Sequence, residues 1–207
     1  MKILATAFEP FNGAAVNPSQ IILDRLTAPA GAELVRELLP VEFARTSVLL
    51  RQLLGEHRPD IVLSLGQAGN RPEICVERVA INLDSVRSSD GRRNTPDNAG
   101  AMPVDHPIEP EGSNAYFATL PVWELVDAIQ SSGVKGAVSY SAGTYVCNHV
   151  MYTVLHEAAL HYPGTRAGFI HVPFLPEQME GRTQGCAMEL DDMVRGIQAA
   201  VNCLGIQ

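Results

Sequence analysis

Two kinds of hydrophobic pattern alternate along the chain. Short runs of consecutive apolar residues predict strands buried on both faces. Stretches whose apolar positions recur every three or four residues predict helices with one face on a core. Lys2 to Ala7, Leu34 to Leu39, Ile61 to Leu65, Ala137 to Ser139 and Ala167 to His171 are of the first kind. Asn17-Pro18 supplies an N-cap and a first-turn proline, and Ile21, Ile22 and Leu26 continue a helical face. Phe43, Val48, Leu49, Leu53 and Leu54 predict a second helix, broken at Arg58-Pro59-Asp60. Val122 to Ile129, Tyr145 to His161 and Leu190 to Leu204 give three more. Cys75 to Val86 alternates and predicts a strand or a hairpin arm. Arg87 to Ser113 is rich in Gly, Pro, Asn and Asp and has no period, which predicts a long loop of the kind that usually carries function.

Strand and helix in alternation predict an α/β layered fold with a mostly parallel sheet. No repeat, linker or change of composition divides the chain, so residues 1–207 read as a single domain. In such sheets active sites lie beyond the carboxyl ends of the strands. The loops after Ala7, Leu65, Ser139 and Ile170 are therefore expected to converge.

Composition narrows the partners. The chain is 46% hydrophobic and 18% charged, with a net charge of −8. A nucleic-acid surface needs clustered Lys and Arg, and the densest basic spot is only Arg87 with Arg92-Arg93. Cys75, Cys147, Cys186 and Cys203 form no CxxC and no framework of pairs, the usage of a reduced, cytoplasmic protein. Met1 to Phe8 is too short for a signal sequence, and no stretch approaches the roughly 18 apolar residues that span a bilayer. Neither a nucleic acid nor a membrane is an expected partner.

The chemistry concentrates in Ala142-Gly143-Thr144-Tyr145-Val146-Cys147-Asn148-His149 and, 24 positions after the cysteine, in His171 at a strand end before Val172-Pro173. With Thr144 as N-cap, Cys147 falls in the first turn of a helix, where free N–H groups and the dipole lower a thiol's pKa. His171 would project into the crevice and serve as its base. Glu77, on an apolar strand, could orient that histidine, although an ion pair with a neighbouring Arg is the plainer reading. His149 points about 200° away from Cys147 on the same helix and reads as a packing residue. Ser139-Tyr140-Ser141-Ala142-Gly143 lacks the first glycine of a nucleophile elbow. His156 and His161 are five apart, not four, and so do not share a face for zinc. Gly66-Gln67-Ala68-Gly69 is too short for a phosphate loop. No metal or cofactor is expected.

Seven ordered motifs together resemble type I pyroglutamyl peptidase (pyrrolidone carboxyl peptidase). They are Thr6 to Gly13, Asn17-Pro18, Gly66 to Gly69, Glu77 to Asn82, Pro96-Asp97-Asn98, Ala142 to His149 and Gly168 to Gln178. The resemblance implies a three-layer α/β/α sandwich, an intracellular homodimer or homotetramer, and removal of N-terminal pyroglutamate from peptides. It implies Cys147 as nucleophile, His171 as base and Glu77 as orienting carboxylate. It also implies that Phe8 and Phe11 sandwich the lactam ring, with Asn17, Gln67 and Tyr145 in the pocket and Arg87 near the scissile carbonyl. Ala7, Asn12 and Asn70 replace glycines usual in the family, and the stretch from Ser88 to Asn94 is longer than usual and expected on the surface. A cysteine amidase of the same fold with shifted preference, or a scaffold without activity, are the competing readings. Loss of Cys147 or His171 would mark the last, and neither is lost.

Overall fold

The computed structural model of the chain describes residues 1–87 and 95–205; the longer stretch Ser88 to Asn94 lies outside them. In chain order the elements are β1 (Lys2–Phe8), α1 (Pro18–Arg25), β2 (Glu33–Leu39), α2 (Phe43–His57), β3 (Ile61–Gln67), β4 (Ile74–Glu77), β5 (Val79–Ile81), β6 (Ala115–Phe117), α3 (Val122–Ser131), β7 (Gly136–Ser139), α4 (Val146–His161), β8 (Arg166–Val172) and α5 (Leu190–Leu204). A 3₁₀ turn, Pro176–Met179, links β8 to α5. Asn17 caps α1 as its sequence predicts, accepting the Ser19 N–H with Pro18 at the first position. In α2 the buried face is Phe43, Leu50, Leu53 and Leu54, while Val48 is exposed.

Six strands form one sheet in the order β2-β1-β3-β8-β4-β7. Every neighbouring pair is parallel except β4 with β8. This corrects one expectation. Because β7 runs with β4, and so against β8, its end does not emerge beside the ends of β1, β3 and β8. The segment after Ser139 meets the other loops only by doubling back before α4.

Register shows which helices cover which face. Ile74 stands opposite Gly136. A Cβ on Gly136 would meet Ile129 of α3 at 2.9 Å, and a Cβ on Gly196 of α5 would meet Ile74 at 2.7 Å. The alternate residues of β4, Cys75 and Glu77, face the other way and stand beside His171 and Phe169. On that face Gly66 aligns with His171, and a Cβ there would lie 3.0 Å from the Cys147 sulfur of α4. Helix α1 packs with α5, and α2 with α4. The result is a three-layer α/β/α sandwich. Strands β1, β3 and β8 are buried almost end to end, which explains their uninterrupted apolar runs.

Two features escape the sequence pattern. The three-residue strand β6 pairs with β5 in a separate two-stranded ribbon, too short to give a period. Asn148 clamps that ribbon to α4: its Oδ1 accepts the Ile81 N–H at 2.9 Å, and its Nδ2 donates to Ile81 O and Leu83 O at 2.9 and 3.0 Å.

Candidate active site

The antiparallel β4–β8 pair builds the first half of the site. His171 is 4% exposed and Glu77 is fully buried. Nδ1 of His171 donates to Oε1 of Glu77 at 2.7 Å. A carboxylate acceptor at Nδ1 fixes the proton there and leaves Nε2 as the free acceptor. The Phe169 ring packs against the imidazole, tilted by 49° with the centroids 4.7 Å apart, so the imidazole has little freedom to turn.

Helix α4 brings the thiol. Its N-cap is Tyr145, with no side-chain cap bond, not Thr144 as the sequence suggests. The Thr144 hydroxyl is held elsewhere, donating to Ser85 O at 2.8 Å. Cys147 still falls in the first turn, and the N–H groups of an uncapped turn stay open to a ligand. The expected lowering of the thiol pKa is outweighed: burial and the Glu77 carboxylate push Cys147 up to about 12, against smaller opposing effects of its own backbone N–H and of Arg71. A thiol so placed is neutral at pH 7 and needs a base to ionise it. Cys75 also stands opposite His171 in register, but it is buried outside the cavity and its thiol is likewise raised by burial.

Cys147 and His171 open on one cavity of about 370 Å³, also lined by Phe8, Phe11, Asn17, Gln67, Asn70, Arg71, Ala142, Gly143 and Tyr145. That volume is at the small end for ligand pockets and suits one residue-sized group. The rings of Phe11 and Tyr145 are 6.3 Å apart and tilted by 40°. Tyr145 is pinned by its hydroxyl, which donates to Pro96 O at 3.0 Å, and by Phe43 edge-on at 5.5 Å. Asn12 takes a positive φ of 52°, a region Asn enters more readily than most side chains. It therefore keeps the turn after Phe11 without a glycine.

Gln67 is polarised by Gln178, the last residue of the Gly168 to Gln178 motif. Its Oε1 accepts from Gln178 Nε2 at 3.0 Å. Gln178 is fixed in turn by Oε1 accepting the Leu175 N–H and by Nε2 facing Val16 O at 3.3 Å. With its oxygen occupied, the Gln67 amide has its NH₂ left to donate. Asn17 lines the cavity, but its side chain is spent on the cap of α1 and on Glu9 O. Arg87 is exposed and does not line the cavity. Arg71 does, although no motif marked it. Its guanidinium contacts Glu77 Oε1 at 3.2 Å and donates to Ser141 O at 2.6 Å.

Ser141 lines the same cavity, and its Oγ accepts the Gly143 N–H at 3.2 Å. The histidine candidates are occupied elsewhere. His149 is buried between Asp84, 2.8 Å from Nδ1, and Ser47 at Nε2. His156 bonds Tyr116 and stacks on Tyr152, while His161 faces Glu157. Among the described residues no group of three His, Cys, Asp or Glu side chains could hold a metal ion, and no helix is long and apolar enough to cross a membrane.

Comparison with known proteins agrees along the whole chain. A family model described as Pyroglutamyl peptidase matches residues 1–206. Pyrrolidone-carboxylate peptidase of Levilactobacillus brevis is 48% identical over 207 residues, covering 100% of this chain and 98% of that protein. Pyrrolidone-carboxylate peptidase 1 of Caldanaerobacter subterraneus subsp. tengcongensis is 46% identical over 205 residues, 99% of this chain and 98% of that one. The crystal structure of pyroglutamyl peptidase I from Bacillus amyloliquefaciens superposes with a TM-score of 0.92 at 39% identity, covering 100% of this chain and 95% of that chain.

Proposed function

The chain belongs to the pyroglutamyl peptidase family, and on that premise we propose that it removes N-terminal pyroglutamate from peptides with Cys147 as nucleophile, His171 as base and Glu77 as the group that orients the base. Nε2 of His171 takes the Cys147 proton, and the thiolate attacks the carbonyl carbon of the pyroglutamyl residue. The open N–H groups at the start of α4 receive the developing oxyanion. Collapse of the tetrahedral adduct breaks the C–N bond, and the imidazolium gives its proton to the leaving amine. Water, deprotonated by His171, then hydrolyses the thioester and frees pyroglutamate.

The single observation that carries this reading is the 2.7 Å bond from His171 Nδ1 to a fully buried Glu77. It leaves Nε2 free beside the cavity that Cys147 also lines. Burial holds the Cys147 thiol neutral, so its ionisation depends on that base. For the substrate, Phe8, Phe11 and Tyr145 offer faces for a flat lactam, and the NH₂ of Gln67 donates to the ring carbonyl. Proline lacks that carbonyl, and an unpaired buried donor costs about 1–3 kcal/mol. Asn17 shapes the wall through the cap it makes, and Arg87, exposed outside the cavity, is given no role. We also propose one catalytic domain that works as a homodimer or homotetramer in the cytoplasm, in keeping with four free cysteines.

The test is hydrolysis of a pyroglutamyl chromogenic amide beside the matching prolyl amide, in wild type and Cys147→Ala. Wild type should cleave the first strongly over the second, and the variant neither. Equal rates on both amides would reject the lactam assignment, and an active Cys147→Ala would reject the nucleophile.

A further inference from the structure

Arg71 stands between two parts of the site that come from distant elements. One nitrogen lies 3.2 Å from Oε1 of Glu77, the same oxygen that accepts from His171. Another donates to the carbonyl of Ser141 at 2.6 Å, in the segment that doubles back into α4 and Cys147. The side chain is about one quarter exposed, at the cavity wall. Its own segment is tightly held: Arg71 N–H donates to Ala68 O, Gly69 O accepts from Cys186 N–H, and the Phe174 ring abuts Gly69, where a Cβ would come within 1.9 Å of it. The guanidinium therefore projects from a fixed point.

We infer that Arg71 is a positioning residue for the reaction, a two-pronged tie that holds the Glu77 carboxylate to the loop carrying Cys147 and so sets the base and the nucleophile in one frame. This rests on the Cys147–His171–Glu77 assignment proposed above. A guanidinium suits the task because its planar fork can serve a carboxylate and a carbonyl at once, which an ammonium cannot do in a fixed geometry. The second carboxylate oxygen of Glu77 is buried with no hydrogen-bond partner among the described residues. Orientation of the group therefore depends on the oxygen that His171 and Arg71 share. Arg71 has an electrostatic part as well. Among the described residues, the titratable groups that act on the Cys147 sulfur or line its cavity are Glu77 on β4, Arg71, the phenol of Tyr145 and His171 on β8; Gly66 on β3 presents no side chain. Arg71 alone among them is a fixed cation, and it opposes the upward push of Glu77 on the thiol.

The experiment compares Arg71→Met and Arg71→Lys with wild type and with Cys147→Ala. Steady-state kinetics on a pyroglutamyl amide are read beside the pH dependence of iodoacetamide alkylation at Cys147. Arg71→Met should lose about ten- to hundredfold in kcat, the scale of a misplaced catalytic group, with KM within about twofold because the lactam contacts are intact. Its alkylation midpoint should move to higher pH. Arg71→Lys should restore the midpoint, since it keeps the charge, but only part of kcat, since it lacks the fork. Wild-type kcat and an unmoved midpoint in Arg71→Met, with Cys147→Ala inactive, would overturn the role of Arg71 alone. A raised KM at unchanged kcat would overturn it too, making Arg71 a substrate-binding residue. Activity in Cys147→Ala would instead bring down the underlying assignment.

Discussion

Gly66 is where packing and chemistry meet most closely, and Gly66→Ala probes both. A Cβ at this position would lie 2.7 and 2.9 Å from Cζ and Cε1 of Phe169 and 3.0 Å from the Cys147 sulfur. Carbon pairs are comfortable at about 3.5–4.0 Å, so the new methyl overlaps the Phe169 ring by about 0.8 Å or more. That ring cannot yield freely. It is fully buried, with the Phe8 ring at 6.2 Å and the His171 ring at 4.7 Å. Overpacking of this kind costs about 1–3 kcal/mol. At about 2–4 °C per kcal/mol for a chain of this size, the melting temperature should fall by roughly 2–12 °C. The strain also reaches the reacting groups, because the methyl pushes the thiol directly and the imidazole through Phe169. A displacement approaching 1 Å is worth about 10²-fold, so kcat should drop by about ten- to hundredfold even at temperatures where the variant is folded. Thermal melts and steady-state kinetics on a pyroglutamyl amide measure the two effects. Gly164→Ala is the control, with nothing within 4 Å of its added Cβ. If Gly66→Ala melts and turns over like that control, the close approach of β3, Phe169 and Cys147 is not part of the working site.

Three further outcomes follow from the same geometry. Glu77→Gln should lose about ten- to hundredfold in kcat while His171→Ala loses essentially all of it, because an amide can still accept from Nδ1–H but stabilises the imidazolium less well; parity of the two variants would deny Glu77 a merely orienting role. Gln178→Ala should raise KM about five- to tenfold with little change in kcat, since it frees Gln67 Oε1 and costs the lactam about 1 kcal/mol of preorganised hydrogen bonding; an unchanged KM would show that Gln67 needs no such anchor. In His171→Ala the raised Cys147 thiol ionises only at high pH, so its alkylation rate should keep climbing well above pH 9, and a plateau near neutral pH would contradict the dominance of burial.

The elements that pack two-sidedly were legible from sequence. The buried strands β1, β3 and β8 announce themselves as apolar runs, and α1 through its Asn17-Pro18 start. The reversed direction of β4 and β7 was not legible, because an apolar run carries no sign of the direction in which it pairs. That reversal matters, since it sets Glu77 beside the His171 strand. The candidate residues Cys147 and His171 were found from their local settings, a small-residue turn before a helix and a strand cut short by proline. The roles of Arg71, Asn148 and Gln178 are not legible in the sequence for one reason. Each works through a partner distant in sequence, such as Glu77 and Ser141 for Arg71, and spacing shows only near neighbours. The thiol pKa is hidden in the same way, because a helix start is visible in sequence whereas the burial that outweighs it is not.

The most direct test of the central claim is to trap the covalent intermediate. A pyroglutamyl ester is mixed with enzyme, quenched in acid within one turnover, digested and examined by mass spectrometry. The mechanism expects a single added pyroglutamyl group, carried as a thioester on the peptide containing Cys147, absent from Cys147→Ala and accumulating faster than product in the first turnover. Full product formation with no acyl group on Cys147 at any time, or the group found on Ser141 or Cys75 instead, would contradict it.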